Sequence, residues 1–428
     1  MFLIINFLKN KFVDLWRRGA FHILLGSFVT KFVVFFGTIF LVRILSKTSY
    51  GVLGYIENIY GYIYIFAGLG LNNAVLRYVI LGKTSEEKFG FYRYAITKGT
   101  LFNILIVFFV ALFFLFYPYP EEFKGAKWLL LILFITIPFQ FLVDSNTLTY
   151  RAMFDNKRFA IITFLTSVIL IIARYLGAIF FDLNGIVIAN ILVYVLFSLI
   201  LSYVSFNLYF KEYRPNQLSK IEQKKVNNYS FQYMITNGVW AAFMLNDVFL
   251  LGLLSGNAEI VAEYKVAYVL PGVLTIISTA IGIFIGPYFV KRETNHNWVW
   301  KNYIKTLIIL AGIIAPLVAI MFVYAKSITT LIYGVQYENI VPIMRLLLVA
   351  ALINSIFRYT SANLLASMGE IKSNMLISIF GMCLQIIINL ILIPKYGELG
   401  AAVTSILVYS LMALSLFIIF IKKFKLTN

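Results

Sequence analysis

With 428 residues, 61% of them hydrophobic and only 13% charged, and a mean hydropathy of +0.89, the chain lies far from the roughly half-apolar, quarter-charged balance of soluble globular proteins. An aqueous fold could not bury that much apolar surface. A net charge of +18 would suggest nucleic acid in a soluble protein, but here Lys and Arg sit in short segments between apolar runs, where they orient the chain and attract anionic headgroups, and no nucleic-acid partner is expected.

The apolar runs are about 20 residues long, enough to cross roughly 30 Å of hydrocarbon. They are continuously apolar, which argues for helices against alternating barrel strands. The first 20 residues place Lys9, Lys11, Asp14, Arg17 and Arg18 after an apolar start, the wrong order for a secretory signal, and read as an interfacial helix. Spans follow near 22–45, 52–80, 94–117, 127–150, 159–181 and 185–208, and then near 229–254, 264–290, 303–325, 342–366, 373–394 and 399–421. Breakers fill the connections, as at Pro118 with Pro120, Asn184 with Gly185, and Pro394 before Gly397. The expected fold is all-α and polytopic, with about twelve transmembrane helices in two six-helix lobes, residues 1–210 and 229–428, joined by a cytoplasmic linker over 211–228.

Cations fall mostly on one side of this layout, in the N-terminal segment, in connections such as Lys83 to Lys98 and Lys211 to Lys225, and in Lys422, Lys423 and Lys425. The opposite side holds Lys47, Lys124, Lys127, Lys326 and Lys395. The bias places both termini in the cytoplasm.

Two stretches about 215 residues apart share a layout. One runs from Ala152 through Gly185 to Ile191-Leu192-Val193-Tyr194, the other from Ala366 through Gly400 to Ile406-Leu407-Val408-Tyr409. A duplication of six spans relates its halves by an axis along the membrane normal, an architecture suited to rocking around a central cleft.

An ionisable group inside a span costs about 2.5 kcal/mol or more, so it normally faces a cavity or a partner. Lys31 lies mid-span with Ser27 and Thr38 at helical spacing, and a cavity role is expected for it. Asp247 follows Asn246 in span 7, with Asn237 read onto the same face; a counter-ion role and a structural pairing weigh equally. Glu57, Gly61, Tyr64 and Gly68 share a face of span 2 that equally suits a helix seam. Span 10 carries Asn354, Arg358 and Ser361 on one face, and span 11 carries Asn374, Ser378, Gln385 and Asn389. Together these stripes point to a hydrophilic central cleft. Arg43, Arg77, Arg174 and Arg345 stand near span ends and are expected to snorkel. Asp144 is read as pairing with Arg151, and Tyr55, Tyr60, Tyr62 and Tyr64 as an interfacial belt rather than a sugar-stacking surface. Prolines 138, 271, 287 and 316 are expected to kink spans 4, 8 and 9.

Signals of catalysis are sparse. His22 and His296 are far apart, there is no P-loop or Asp-x-Asp pair, and no loop exceeds about 20 residues. The single Cys383 is read as core packing, so neither a disulfide nor a thiolate metal site is expected. No cofactor and no enzyme activity are expected, which leaves transport by conformational change.

Gly26-Ser27-Phe28 through Lys31, Phe40 to Ser46, Tyr50-Gly51, Gly68-Leu69-Gly70-Leu71 and Arg77-Tyr78 resemble the opening of the polysaccharide (O-antigen) flippases. So do Asn246-Asp247, Leu365 to Gly369, Pro394 to Gly397 and Gly400-Ala401-Ala402. These flippases belong to the multidrug, oligosaccharidyl-lipid and polysaccharide exporter superfamily, with two six-helix lobes around a cleft. The resemblance implies translocation of undecaprenyl-diphosphate-linked oligosaccharide from the inner to the outer leaflet of a bacterial cytoplasmic membrane, alongside polysaccharide polymerase and glycosyltransferase partners. On this expectation Lys31 and Arg358 offset the diphosphate, Asn354, Asn374 and Gln385 replace sugar hydration, and Asp247 or Glu57 takes up a coupling cation. A cation-coupled multidrug exporter of the same superfamily, an integral-membrane polymerase and a non-transporting lipid-binding scaffold are the alternatives.

Overall fold

The computed structural model describes residues 20–425; the interfacial helix expected at the N-terminus, with Lys9, Lys11, Arg17 and Arg18, lies outside them. Fifteen α-helices account for nearly all of the described chain, with no strand among the described residues. In order they are α1 (Ala20–Ile44), α2 (Lys47–Tyr64), α3 (Leu71–Leu81), α4 (Ser85–Phe116), α5 (Ala126–Phe134), α6 (Thr136–Ala152), α7 (Asn156–Tyr209) and α8 (Lys220–Ser255). These are followed by α9 (Ala258–Val273), α10 (Thr275–Lys291), α11 (His296–Val323), α12 (Ala325–Tyr333), α13 (Val341–Ile353), α14 (Thr360–Ser367) and α15 (Ile371–Phe424).

Helices α7 and α15 are each 54 residues long, which as straight rods would reach about 80 Å. Both instead fold back on themselves. The backbone of α7 breaks at Phe181 and Asp182, and that of α15 at Gly397, where φ is +56°. Tyr209 at the end of α7 donates to the Asp155 carboxylate before its start, at 3.0 Å, and Lys423 pairs with Glu370 across the same span of α15. The limbs meet on glycine: a Cβ at Gly177 would lie 2.4 Å from the carbonyl oxygen of Gly185, and one at Gly400 would lie 2.5 Å from that of Leu392. Small residues let apolar helices approach this closely. The breaks at Asp182 and Gly397 keep the same offset as Gly185 and Gly400, so the repeat seen in the sequence is matched by paired hairpins.

Seven helices are long and apolar enough to cross a membrane singly, and two further passes are bent pairs, α2 with α3 and α5 with α6. Counting the limbs of both hairpins separately and adding α1 gives the twelve passes expected. Their outer faces carry large apolar side chains, such as Phe108 at 63% and Phe116 at 77% exposure on α4. In water such a belt would drive aggregation; around a membrane protein it faces lipid. Cys383 lies on this outer face, not in the core, because lipid accepts a small apolar side chain as readily as protein does.

The bent passes have identifiable causes. Between α2 and α3 the turn Ala67–Gly70 holds Gly68 and Gly70 at φ +55° and +76°, a conformation costly for residues with a Cβ. The Gly68 N–H freed there donates 2.7 Å to Oδ1 of the buried Asn103 on α4. Pro138 in α6 cannot bond the carbonyl one turn back, and the pass bends by 40° just before it. Helices α9 and α10 part at Leu274, after Pro271, whereas α11 runs on through Pro316.

The chain forms two compact units. The first holds residues up to Leu45, Tyr60–Tyr119 and Gly125–Asn237; the second holds Ser46–Ile59, Pro120–Lys124 and Gly238 onward. The first half of α2 thus packs in the second unit. Gly51 makes this possible, since a Cβ there would lie 1.7 Å from the carbonyl oxygen of Ala258, and Tyr55 stacks on Phe123 at 4.3 Å.

Candidate functional site

In the second unit a carboxylate is enclosed by neutral donors. Asp247 on α8 is 8% exposed. Its Oδ1 accepts from Gln385 Nε2 at 2.8 Å and Asn389 Nδ2 at 2.7 Å, both on the first limb of α15. Its Oδ2 accepts from the Tyr264 hydroxyl of α9 at 2.7 Å and from Ser405 Oγ on the second limb at 2.9 Å. Asn246 donates in turn to Gln385 Oε1 at 3.1 Å. No cation pairs with Asp247 among the described residues. Charge-assisted hydrogen bonds offset much of the cost of burying the carboxylate, yet Oδ1 of the fully buried Asn389 has no donor. An anion beside an unused acceptor is an arrangement that a cation completes.

Arg358 is the complementary case. The backbone from Asn354 to Tyr359 winds as a π-helix between α13 and α14, a distortion frequent at functional sites. It places the Arg358 guanidinium 3.6 Å from the centroid of the Trp240 ring, with Nη2 3.5 Å from Ser378 Oγ, the outer limit of a hydrogen bond. Arg358 is 3% exposed, and among the described residues it has no carboxylate partner. Its Nε and the side-chain oxygens of Asn354, Ser355 and Asn374 are buried without partners. Trp240 stacks on Phe243, which meets Tyr409, so an aromatic stack lies beside the guanidinium.

The other sequence candidates have partners or settings of their own. Gln385 is committed to Asp247 and not to Arg358. Glu57 already has a cation, Lys265 Nζ at 3.3 Å. Lys31 is exposed on α1. Asn237 is exposed and bonds its own helix at Tyr233, whereas Asp247 is buried. Arg345 donates to the Phe322 carbonyl at 3.1 Å and Arg77 lies over the Tyr229 ring at 4.8 Å, specific contacts where snorkelling is the simple expectation.

Asp144 does not bond Arg151. It accepts from the Tyr64 hydroxyl at 2.5 Å, while Gln140, one turn earlier on α6, accepts from Tyr60 at 2.6 Å. Tyr60 and Tyr64 stack with ring centroids 5.8 Å apart and are half-buried, and Tyr55 is fully buried; all three are engaged by neighbouring side chains rather than free in an interfacial belt. Sequence reasoning passed over Gln140, Tyr264 and Trp240. The i,i+4 spacing of Gln140 and Asp144 is a signal that would have pointed inward.

Passes of this number, with unpaired charges held inside them, define a polytopic membrane protein. The fold is similar to a MATE family transporter of the MOP superfamily in its inward-facing conformation, with a TM-score of 0.73 and 15% identity over 93% of this chain and 96% of that one. It is similar to the lipid II flippase MurJ in an inward closed conformation, with a TM-score of 0.74 and 17% identity over 94% and 88%. An uncharacterized membrane protein of Methanocaldococcus jannaschii, MJ1068, is 22% identical over 92% of this chain and 82% of its own length. The chain belongs to the polysaccharide biosynthesis protein family, whose model matches residues 40–342.

Proposed function

We propose that the protein is a flippase that carries undecaprenyl-diphosphate-linked oligosaccharide from the inner to the outer leaflet of a bacterial cytoplasmic membrane, by alternating access and without covalent chemistry. The observation that supports the reading, within a polysaccharide biosynthesis family, is a buried guanidinium with no counter-ion among the described residues. Arg358 has unused N–H donors where a diphosphate, which cannot cross hydrocarbon unaided, needs cationic partners. Asn354 and Asn374 offer free carbonyl oxygens to sugar hydroxyls. Lys31, on the first unit, is kept as a substrate-binding candidate in its own right, and the polyprenyl tail stays in lipid.

Asp247, a buried anion with no cation partner among the described residues, is the coupling site in this reading, and binding a proton or sodium there in one state biases the cycle. Glu57, already neutralised by Lys265, is the weaker candidate. The cation bias of the connections supports cytoplasmic termini, and a polymerase and glycosyltransferases are the expected partners.

The test is translocation of an oligosaccharide-diphosphate lipid in reconstituted vesicles by the native chain, Arg358→Met, Lys31→Ala and Asp247→Asn. The flippase reading requires transport by the native chain and its loss in Arg358→Met. Export of organic cations with no lipid movement would replace it with the multidrug exporter.

A further inference from the structure

Two broken passes meet in the first unit. Tyr60 and Tyr64 form the last turn of α2 before the glycine turn at Ala67–Gly70, and Gln140 and Asp144 stand on α6 just past its bend. Non-helical backbone at membrane depth is tolerated where it is buried in protein or lines an aqueous cavity, and interrupted helices are where transporters build binding sites. The interruption is held in place: Asn103 takes the freed Gly68 N–H, and a Cβ at Gly68 would lie 2.2 Å from the Phe141 ring.

The side chains form a ladder in register. Each tyrosine hydroxyl binds one atom of a residue on α6, Tyr60 to Gln140 Oε1 and Tyr64 to Asp144 Oδ2. The ladder fixes both polar groups and leaves one function of each unused. Among the described residues, Asp144 Oδ1 and Gln140 Nε2 have no partner, and both residues are half-buried. What remains is an acceptor and a donor one helical turn apart, near the middle of their passes.

That pair selects a ligand class. A carboxylate repels a phosphate. A metal ion seeks several oxygens and would meet an NH2 group beside the carboxylate. A hydroxyl both donates and accepts, so neighbouring hydroxyls on one ring satisfy Asp144 and Gln140 together. We infer that Gln140 and Asp144, braced by Tyr60 and Tyr64, form a subsite for the hydroxyl groups of the carried sugar. The inference rests on the flippase reading and adds to it a part of the molecule that recognises the carbohydrate rather than the diphosphate.

The experiment measures binding of two probes to the detergent-purified full chain by native mass spectrometry: a polyprenyl diphosphate carrying an oligosaccharide, and the bare polyprenyl diphosphate. The native chain is expected to prefer the sugar-bearing lipid. Asp144→Leu and Gln140→Leu, which put an apolar side chain of similar size in place of the polar one, are expected to lower that preference about tenfold or more and to leave bare-lipid binding unchanged. Asp144→Asn, which retains an acceptor, recovers part of it. The subsite is overturned if the preference survives both leucine variants, or if both lipids are weakened equally. It is also overturned if Asp144→Asn removes only a pH dependence of binding while the preference stays intact, which would make Asp144 a proton site. A native chain that binds neither lipid refutes the flippase reading itself, and the subsite with it.

Discussion

Replacing Asp247 separates the charge of its site from its hydrogen bonds. The carboxylate accepts two bonds on each oxygen, amides on Oδ1 and hydroxyls on Oδ2. In Asp247→Asn the carbonyl oxygen keeps the amide donors of Gln385 and Asn389. The new NH2 faces Tyr264 and Ser405, whose hydroxyls rotate to accept. All four contacts survive and the buried charge is gone, so the variant should unfold at the same temperature as the native chain or slightly higher. Asp247→Leu leaves four buried donors without an acceptor; at about 1–3 kcal/mol each, even partial relaxation leaves a loss of about 4 kcal/mol or more. Thermal unfolding followed by fluorescence-detected size exclusion reads both variants. A coupling cation bound at Asp247 should stabilise the native chain by about 2.7 kcal/mol at a hundred times its dissociation constant, and should not stabilise Asp247→Asn. Equal stability of the leucine and asparagine variants would refute the network's structural role. An equal cation-induced shift in the native and asparagine chains would refute its role as a cation site.

Gly397→Val places a β-branched residue at φ +56°, a strained conformation costing about 1–2 kcal/mol, and should lower the unfolding midpoint by a few degrees. Gly51→Leu puts a side chain where Ala258 O lies 1.7 Å from a Cβ; it should displace the first half of α2, read as faster proteolysis near residues 46–59. Lys423 and Ser373 hold the Glu370 carboxyl below its ordinary value of 4.5, against a smaller opposing effect of burial. Stability from this pair is present above that value and lost as pH falls through the lower folded value. Acidification below about pH 4.5 should therefore lower the unfolding temperature of the native chain more than that of Glu370→Gln.

Hydropathy made the passes legible, because every one must be apolar over the thickness of a membrane whatever its neighbours do. The hairpins could be anticipated from Gly185 and Gly400, since close approach leaves a glycine signature at fixed spacing. Asp247 announced itself as an ionisable group in an apolar run, but its partners come from three other passes and no local pattern joins them. The sequence reading gave Asp144 to Arg151 because both lie on one helix; the hydroxyl that bonds it lies 80 residues away. Tyrosines misled for a related reason: a residue with an apolar ring and one polar atom suits an interface and a buried polar contact equally, and composition cannot choose between them.

The boundary between the two units cuts through α2 rather than through the linker, with residues 46–59 and 120–124 belonging to the second unit. The genetic halves and the folded halves are therefore different objects. The second unit needs two segments translated long before the rest of it. During synthesis those segments must wait, unsheltered by their final neighbours, until Ala258 and the helix it begins have entered the membrane. A gene split within 211–228 should yield active protein only when both fragments are made together, because the downstream fragment alone lacks two segments of its own unit.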